Sequence, residues 1–363
     1  MNKKIKAFIA VGGTGGHVFP GINLASALIK KNYRVKIITD KRGYKFFKET
    51  DKKNVLVFPS SPLIKKNFIL LIFSLSLILY SILRSLLFLL YNRPNIIFGM
   101  GGYASFPICI AASILRIKFV IYENNLIIGR ANKKLLPFAE KILVSNKKLE
   151  GIGSKYNFKT IEVGNIIKKE IINFSLDFRI KKKELKILVL GGSQAAQIFA
   201  EVLPKIFKNC SDIGISIKII QHCLPHQNRQ LSSFYEKSNI EHELFNFTDN
   251  LIQFFSKVNL AITRSGSSVL AELTNANIPF ISVPLPSSAD DHQLKNATFY
   301  KKNNFSFLVE EKDLNDKLLN LLKEIYENMS KLDEIRANQR QYSDKHVYEN
   351  IDNVLDKILN EKN

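Results

Sequence analysis

The chain has 363 residues, 46% of them apolar, and carries 53 basic against 32 acidic side chains, a formal net charge of +21. That length exceeds what one hydrophobic core usually fills, so two compact units are expected, and the apolar content excludes a disordered chain. Three widely spaced cysteines, Cys109, Cys210 and Cys223, exclude a disulfide framework and a paired metal knuckle, which reads as a reducing, cytoplasmic setting. The positive charge asks for an anionic partner, either lipid headgroups or phosphorylated small molecules, with part of the excess attributable to a general bias toward lysine. No helix-turn-helix or RNA-binding signature accompanies it, so nucleic acid is not an expected partner.

In chain order, the basic start from Met1 to Lys6 is followed by a short apolar run that goes straight into glycines, which is a first strand and not a signal peptide. Short Val- and Ile-rich runs then alternate with longer segments of helical period. Strands are expected at 5–11, 34–39, 95–98, 118–122, 141–144, 185–190, 216–221 and 260–263, which is the pattern of an α/β protein with parallel sheets. The runs 5–11 and 185–190 each feed a glycine turn and then a helix, so the chain reads as two nucleotide-fold halves. We expect a first domain at 1–163, a lysine-dense linker at 164–183 and a second domain at 184–340. The tail from about 338, assigned as 341–363, reads as helix and is expected to pack back on the first domain.

The segment 68–91, FILLIFSLSLILYSILRSLLFLLY, holds one charge, Arg84, and has the length of a bilayer span. It also lies where a crossover helix is needed between two strands of one sheet. The favoured reading is a domain helix with one face on the sheet and the other in the membrane interface, flanked by Lys65, Lys66 and Arg93; a spanning helix and a fully buried core helix are the alternatives.

Five loops carry candidate chemistry. Gly12-Gly13-Thr14-Gly15-Gly16-His17 follows a strand and opens a helix, suiting close approach to phosphate or to a developing oxyanion, yet has neither dinucleotide nor Walker spacing. His17 can accept a proton from an attacking hydroxyl near neutral pH, position a phosphate, or serve as a polar cap. Gly99-Met100-Gly101-Gly102-Tyr103 is a second such turn, and Gly191-Gly192-Ser193-Gln194 a third, suited to a diphosphate or simply to a tight turn. In Arg264-Ser265-Gly266-Ser267-Ser268, hydroxyls open a helix, and Glu272 lies where a carboxylate could accept two ribose hydroxyls, or pair with Arg264. Asp290-Asp291-His292-Gln293 offers amide and imidazole groups to a sugar. His222, Cys223 and His226 are discounted as metal ligands because Pro225 interrupts the helix that would align them, and no GxSxG elbow is present.

Taken in order, GGTGGHVFP, GMGGYASFP, GGSQ, RSG with Glu272, and DxHQxxNA resemble the MurG family, the undecaprenyl-diphospho-muramoylpentapeptide N-acetylglucosaminyltransferases, over almost the whole chain. The resemblance implies a GT-B fold: two Rossmann-like, doubly wound domains facing a cleft. It implies inverting, metal-independent transfer without a cofactor, from UDP-N-acetylglucosamine to a lipid-linked muramyl pentapeptide. The expected setting is the cytoplasmic face of the inner membrane, with the anionic membrane surface and further cell-wall synthesis proteins as partners. It assigns Thr14, Gly15, Gly16, Asn125, Lys168, Ser193, Gln194, Thr248, Arg264, Ser267, Ser268, Glu272, His292 and Gln293 to the donor. Gly13, Gly101, Gly102 and Tyr103 fall to the acceptor diphosphate, and His17 to the base. The sequence departs from the family pattern at Tyr122, where a histidine is usual before Glu123-Asn124-Asn125, at Ala195 in place of glycine, and at Lys168 in place of arginine, which loses the bidentate fork. Another UDP-sugar:lipid transferase, and a non-catalytic basic nucleotide-binding protein, are the competing readings.

Overall fold

The computed structural model describes residues 4–62, 67–175, 183–192, 196–248 and 250–360. The chain forms two compact units, one from 1–167 joined by 346–363 and one from 168–345. In chain order the first unit holds β1 (Lys6–Ala10), α1 (Gly15–Lys30), β2 (Arg34–Thr39), α2 (Lys41–Tyr44), β3 (Val55–Val57), α3 (Phe68–Tyr91), β4 (Ile96–Gly99), α4 (Ser105–Ile114), β5 (Phe119–Glu123), α5 (Arg130–Leu135), β6 (Lys141–Val144) and β7 (Thr160–Glu162). The second holds α6 (Lys169–Ile172), β8 (Leu185–Leu190), α7 (Gln197–Asp212), β9 (Ile217–His222), α8 (Asn228–Lys237), β10 (Glu241–Phe245), α9 (Ile252–Phe255), β11 (Leu260–Thr263), α10 (Ser267–Asn275), β12 (Phe280–Ser282), α11 (His292–Lys302), β13 (Phe307–Leu308), α12 (Leu314–Glu327) and α13 (Ser330–Arg340). The closing helix, α14 (Val347–Asn360), belongs to the first unit.

Each sheet is parallel throughout, in the order β3-β2-β1-β4-β5-β6-β7 in the first unit and β10-β9-β8-β11-β12-β13 in the second. In both, the strand order reverses beside the first strand of the unit, the topological switch point where loops splay apart and ligands enter at the carboxyl ends of strands. Burial on both faces explains why these strands read as continuous apolar runs: Ala7 to Val11 and Leu185 to Val189 apart from Lys186 have almost no exposed surface. The strands 34–39, 141–144, 185–190 and 260–263 fall where expected, those expected at 95–98, 118–122 and 216–221 shift by one residue, and that at 5–11 is shorter by one at each end.

Helix α3 fills the predicted segment, with Asn67 Oδ1 capping it by accepting from Ile69 N at 2.8 Å. Its inward face is unexpectedly polar: Ser74, Ser81 and Ser85 are fully buried, their hydroxyls donating to the carbonyls of Leu70, Leu77 and Pro59, and Ser81 respectively. The outward face is apolar, with Phe68 75%, Phe73 65%, Leu79 58% and Tyr91 86% exposed. A fully buried core helix is thereby excluded within this unit. Because α3 crosses between two parallel strands, it runs opposite to them; Ser81 meets the Pro59 carbonyl just past the end of β3, so the turns before Ser81 run on beyond the carboxyl edge of the sheet.

The tail is not one helix. Residues 341–346 break it, because Asp344 is buried and exchanges two bonds with Asn275, its N donating to Asn275 Oδ1 and its Oδ2 accepting from Asn275 Nδ2. Helix α14 then fastens to the first unit: Tyr348 Oη donates to the Ile167 carbonyl at 2.6 Å, Asn350 Nδ2 to Val163 O, and Lys118 Nζ to Ile358 O.

Candidate active site

In the first unit the turns after β1 and β4, neighbours in the sheet, interlock so closely that only glycine fits. A Cβ on Gly102, at φ +77°, would lie 2.5 Å from the Gly12 carbonyl oxygen, and one on Gly12 would lie 2.8 Å from Ala104 Cβ. The imidazole of His17, two residues into α1, packs on the second turn: a Cβ on Gly101 would be 2.8 Å from its Cε1. Gly13, Gly15, Gly16, His17, Gly101, Gly102 and Tyr103 are thus gathered at one end of the sheet. Thr14 is the N-cap of α1 and is exposed, but its side chain makes no capping bond, and the first turn of α1 contains no acidic residue.

Asn125 is held by a buried carboxylate. Glu123 Oε1 accepts from Asn125 N at 3.1 Å and Nδ2 at 3.0 Å, while Oε2 accepts from Gly129 N and Asn132 Nδ2. Asn124 Nδ2 donates to the Gly16 carbonyl, which ties this loop to the start of α1. The departure at Tyr122 is structural: its hydroxyl accepts from Ile166 N at 3.0 Å and donates to Gly164 O, fastening the strand-like exit of the unit.

Asp40 and Arg42, both outside the expected set, complete this edge. Asp40, buried at the end of β2, caps α2 by accepting from Gly43 N at 2.8 Å, and also takes Gly13 N, Ser60 Oγ, and Nε and Nη2 of Arg42. Burial would raise its pKa, but the Gly43 amide, Arg42 and Ser60 together hold the carboxyl below the usual range. The signal was present in the sequence as an aspartate closing a strand, a type and place favoured for helix caps.

In the second unit the structure sorts the expected donor residues by what they already bind. Arg264 is turned inward, its side chain 8% exposed: Nη2 pairs with Glu311, Nη1 donates to the carbonyls of Val283 and Pro284, and the guanidinium lies 4.9 Å from the Phe199 ring. It does not pair with Glu272, the alternative the sequence left open. Gln293 Oε1 accepts from Ser265 N and Leu285 N, and Asn296 Nδ2 donates to Ser265 O, so α11 braces the turn after β11. Ser267 and Ser268 open α10, with Glu272 further along the same helix. Burial pushes the Glu272 carboxyl up to about 7, offset in part by the positive charge of Lys168. Lys168 is the N-cap of α6, which packs against α10.

His292 opens α11, its Nδ1 2.8 Å from the Ala289 carbonyl, behind Asp290 and Asp291, both in left-handed backbone conformation. Thr248 follows β10, the edge strand of the second sheet. Its Oγ1 accepts from Asn250 N and Gln253 Nε2. Gly191 and Gly192 follow β8, with Gly192 beside Arg264. Ser193, Gln194 and Ala195 lie outside the described residues, as do Lys65 and Lys66. The discounted His222 is stacked on Phe245 at 5.4 Å, with burial lowering its pKa, and the buried Cys223 contacts Asn228 through Sγ.

Residues 7–144 match the model of the glycosyltransferase family 28 N-terminal domain, and residues 186–353 that of the family 28 C-terminal domain. This chain belongs to glycosyltransferase family 28. Among its relatives, a Pelagibacter ubique protein is 32% identical over 99% of this chain and 100% of its own length, and a Rickettsia canadensis protein 33% identical over 87% and 90%. Both are named UDP-N-acetylglucosamine–N-acetylmuramyl-(pentapeptide) pyrophosphoryl-undecaprenol N-acetylglucosamine transferase. The family 28 fold is also that of a solved structure, Acinetobacter baumannii MurG, with a TM-score of 0.76 at 22% identity over 97% of this chain and 99% of that one. Both parallel-sheet units are those of the GT-B architecture. The family 28 enzyme therefore carries one set of glycine turns at the switch point of each of its sheets.

Proposed function

We propose that this enzyme transfers N-acetylglucosamine from UDP-N-acetylglucosamine to the 4-hydroxyl of an undecaprenyl-diphospho-muramoyl pentapeptide, inverting the anomeric centre, at the cytoplasmic face of the membrane. The observation that carries this reading is the packing of His17 against Gly101 between two interlocked glycine turns, in a chain whose full-length relatives bear that transferase name. An imidazole so placed draws the proton from the acceptor hydroxyl as that oxygen attacks the anomeric carbon. The bond to the diphosphate breaks as the new bond forms, and UDP leaves.

The donor reading rests on the second unit. The start of α10 at 266–268 presents amides and hydroxyls to phosphate, Glu272 accepts the ribose hydroxyls when ionised, and Lys168 beside it favours that ionised form. Arg264 and Gln293 act on this site by shaping the turn, since their polar atoms are taken up by backbone and by Glu311. Ser193, Gln194, Thr248 and His292 keep their donor roles in this proposal, as do Thr14, Gly15, Gly16 and Asn125 on the sugar side. Gly13, Gly101, Gly102 and Tyr103 receive the acceptor diphosphate.

The exposed apolar face of α3 supports docking to a lipid surface, because leaving Phe68, Phe73 and Leu79 in water is unfavourable and a bilayer interface covers them. That the turns before Ser81 extend past the carboxyl edge of the sheet, the edge that bears the glycine turns, suits an acceptor whose diphosphate lies at the membrane. The deciding experiment incubates purified protein and vesicles with labelled UDP-N-acetylglucosamine and the lipid-linked muramyl pentapeptide. A labelled disaccharide lipid is expected; transfer only from another UDP-sugar, or UDP binding without transfer, would overturn the reading.

A further inference from the structure

We propose that Arg42 is a binding residue for the lipid acceptor, gripping its diphosphate above the glycine turns of β1 and β4; this rests on the acceptor assignment just made. The two-sided hold on Arg42 is the main observation. Nε and Nη2 donate to Asp40 Oδ2 at 3.1 and 2.7 Å, and the guanidinium carbon lies 5.7 Å from the centre of the Tyr103 ring. Tyr103 closes the second glycine turn and Asp40 holds the first through Gly13 N, so one cation is anchored to both. Its Nη2 lies 3.9 Å from where a Cβ on Gly13 would be, which puts the charge directly over that turn.

The anchoring leaves donors to spare. Nη1 hydrogen-bonds to none of the described residues, and the side chain remains 54% exposed. Asp40 offsets part of the charge of Arg42 but leaves its outward donors open. Its two oxygens already accept from Gly13, Gly43, Ser60 and Arg42, and it is buried beneath the guanidinium. A planar guanidinium with one edge fixed and the other open matches the geometry of two phosphate oxygens, and its fixed edge means little side-chain freedom is lost on binding. A mere brace for Asp40 would need no open edge, and Arg42→Lys would serve it poorly because an ammonium cannot span both positions.

Two measurements test this. In calorimetric titration the wild-type protein should bind farnesyl diphosphate, with farnesol as the uncharged comparator. Arg42→Ala should weaken farnesyl diphosphate binding about ten- to hundredfold, and Arg42→Lys should recover part of it, since each charge-assisted contact is worth that order. UDP affinity should stay unchanged, and an unaltered melting temperature would show that both variants fold. In the transfer assay the KM for the lipid acceptor should rise by a similar factor with the donor KM unmoved. Equal affinity of wild type and Arg42→Ala for farnesyl diphosphate would overturn the inference, as would a loss confined to donor binding. Binding of farnesyl diphosphate that depends on Arg42 without any muramyl transfer would instead overturn the functional reading and leave this one standing.

Discussion

Glu123 holds Asn125 at two points, its Oε1 accepting from the backbone N at 3.1 Å and from Nδ2 at 3.0 Å. With Gly129 N and Asn132 Nδ2 on the other oxygen, the buried carboxylate faces four donors and organises the whole loop after β5. Glu123→Gln would turn an amide N–H toward donors, which costs about 1–3 kcal/mol. Melting should fall by a few degrees and transfer should drop with it. An unchanged melting temperature would show that the loop is held by something else.

His17 offers a test of the proposed chemistry. His17→Ala should lower kcat by about two to four decades if the imidazole takes the acceptor proton. Gly101→Ala should also lower it, because the new methyl would meet the ring at 2.8 Å and the residue has φ +92°, a conformation that costs a side chain strain. Turnover within a few-fold of wild type in His17→Ala would remove it from the proton transfer.

The pH dependence of nucleotide binding follows from Glu272, raised from 4.5 to about 7 chiefly by burial. If ribose hydroxyls bind the carboxylate, UDP affinity should be constant above about pH 7 and weaken by up to about tenfold per unit below it. Stability runs the other way. Between pH 4.5 and 7 the folded protein holds a proton that the unfolded chain has released, so this group's contribution to stability is lost as pH rises through that window. Glu272→Gln should flatten both profiles. Titrations with UDP showing no change between pH 6 and 8 would take Glu272 out of the ribose site.

Arg264 and Glu311 form a partly buried pair across the turn after β11. Removing the arginine strands the carboxylate and two backbone carbonyls and uncovers the Phe199 ring, so Arg264→Ala should destabilise by about 3–5 kcal/mol. The double variant with Glu311→Ala should melt no lower than the worse single, since each loses the same pair. Intact stability with donor KM alone raised would mean that the guanidinium reaches the nucleotide.

Membrane docking by α3 can be separated from folding, because Leu79 and Leu83 are exposed, at 58% and 51%. Leu79→Asp with Leu83→Asp should reduce co-sedimentation with anionic vesicles by at least about tenfold while leaving melting unchanged. High salt should release part of the wild type by screening its basic side chains. Equal sedimentation of variant and wild type would sink the interfacial reading.

Much of this protein was legible in local pattern. Runs of Val and Ile ending in glycines declared two parallel sheets, and the spacing of the glycine, RSG and DxHQ motifs declared the family, since strand period, helix period and turn chemistry act over a few residues. Pattern also located α3, but not that serines would face inward, because hydropathy counts apolar residues without knowing which side meets the sheet. What only the tertiary structure decided were the pairings between distant residues. Arg264 turns to Glu311 and not to Glu272, Gln293 spends its oxygen on two backbone amides, Asp344 breaks the tail to meet Asn275, and Asp40 sets Arg42 over a glycine turn. Partners such as Arg264 and Glu311, 47 residues apart, meet through the register of parallel strands and the packing of crossovers, which local sequence does not encode one residue at a time.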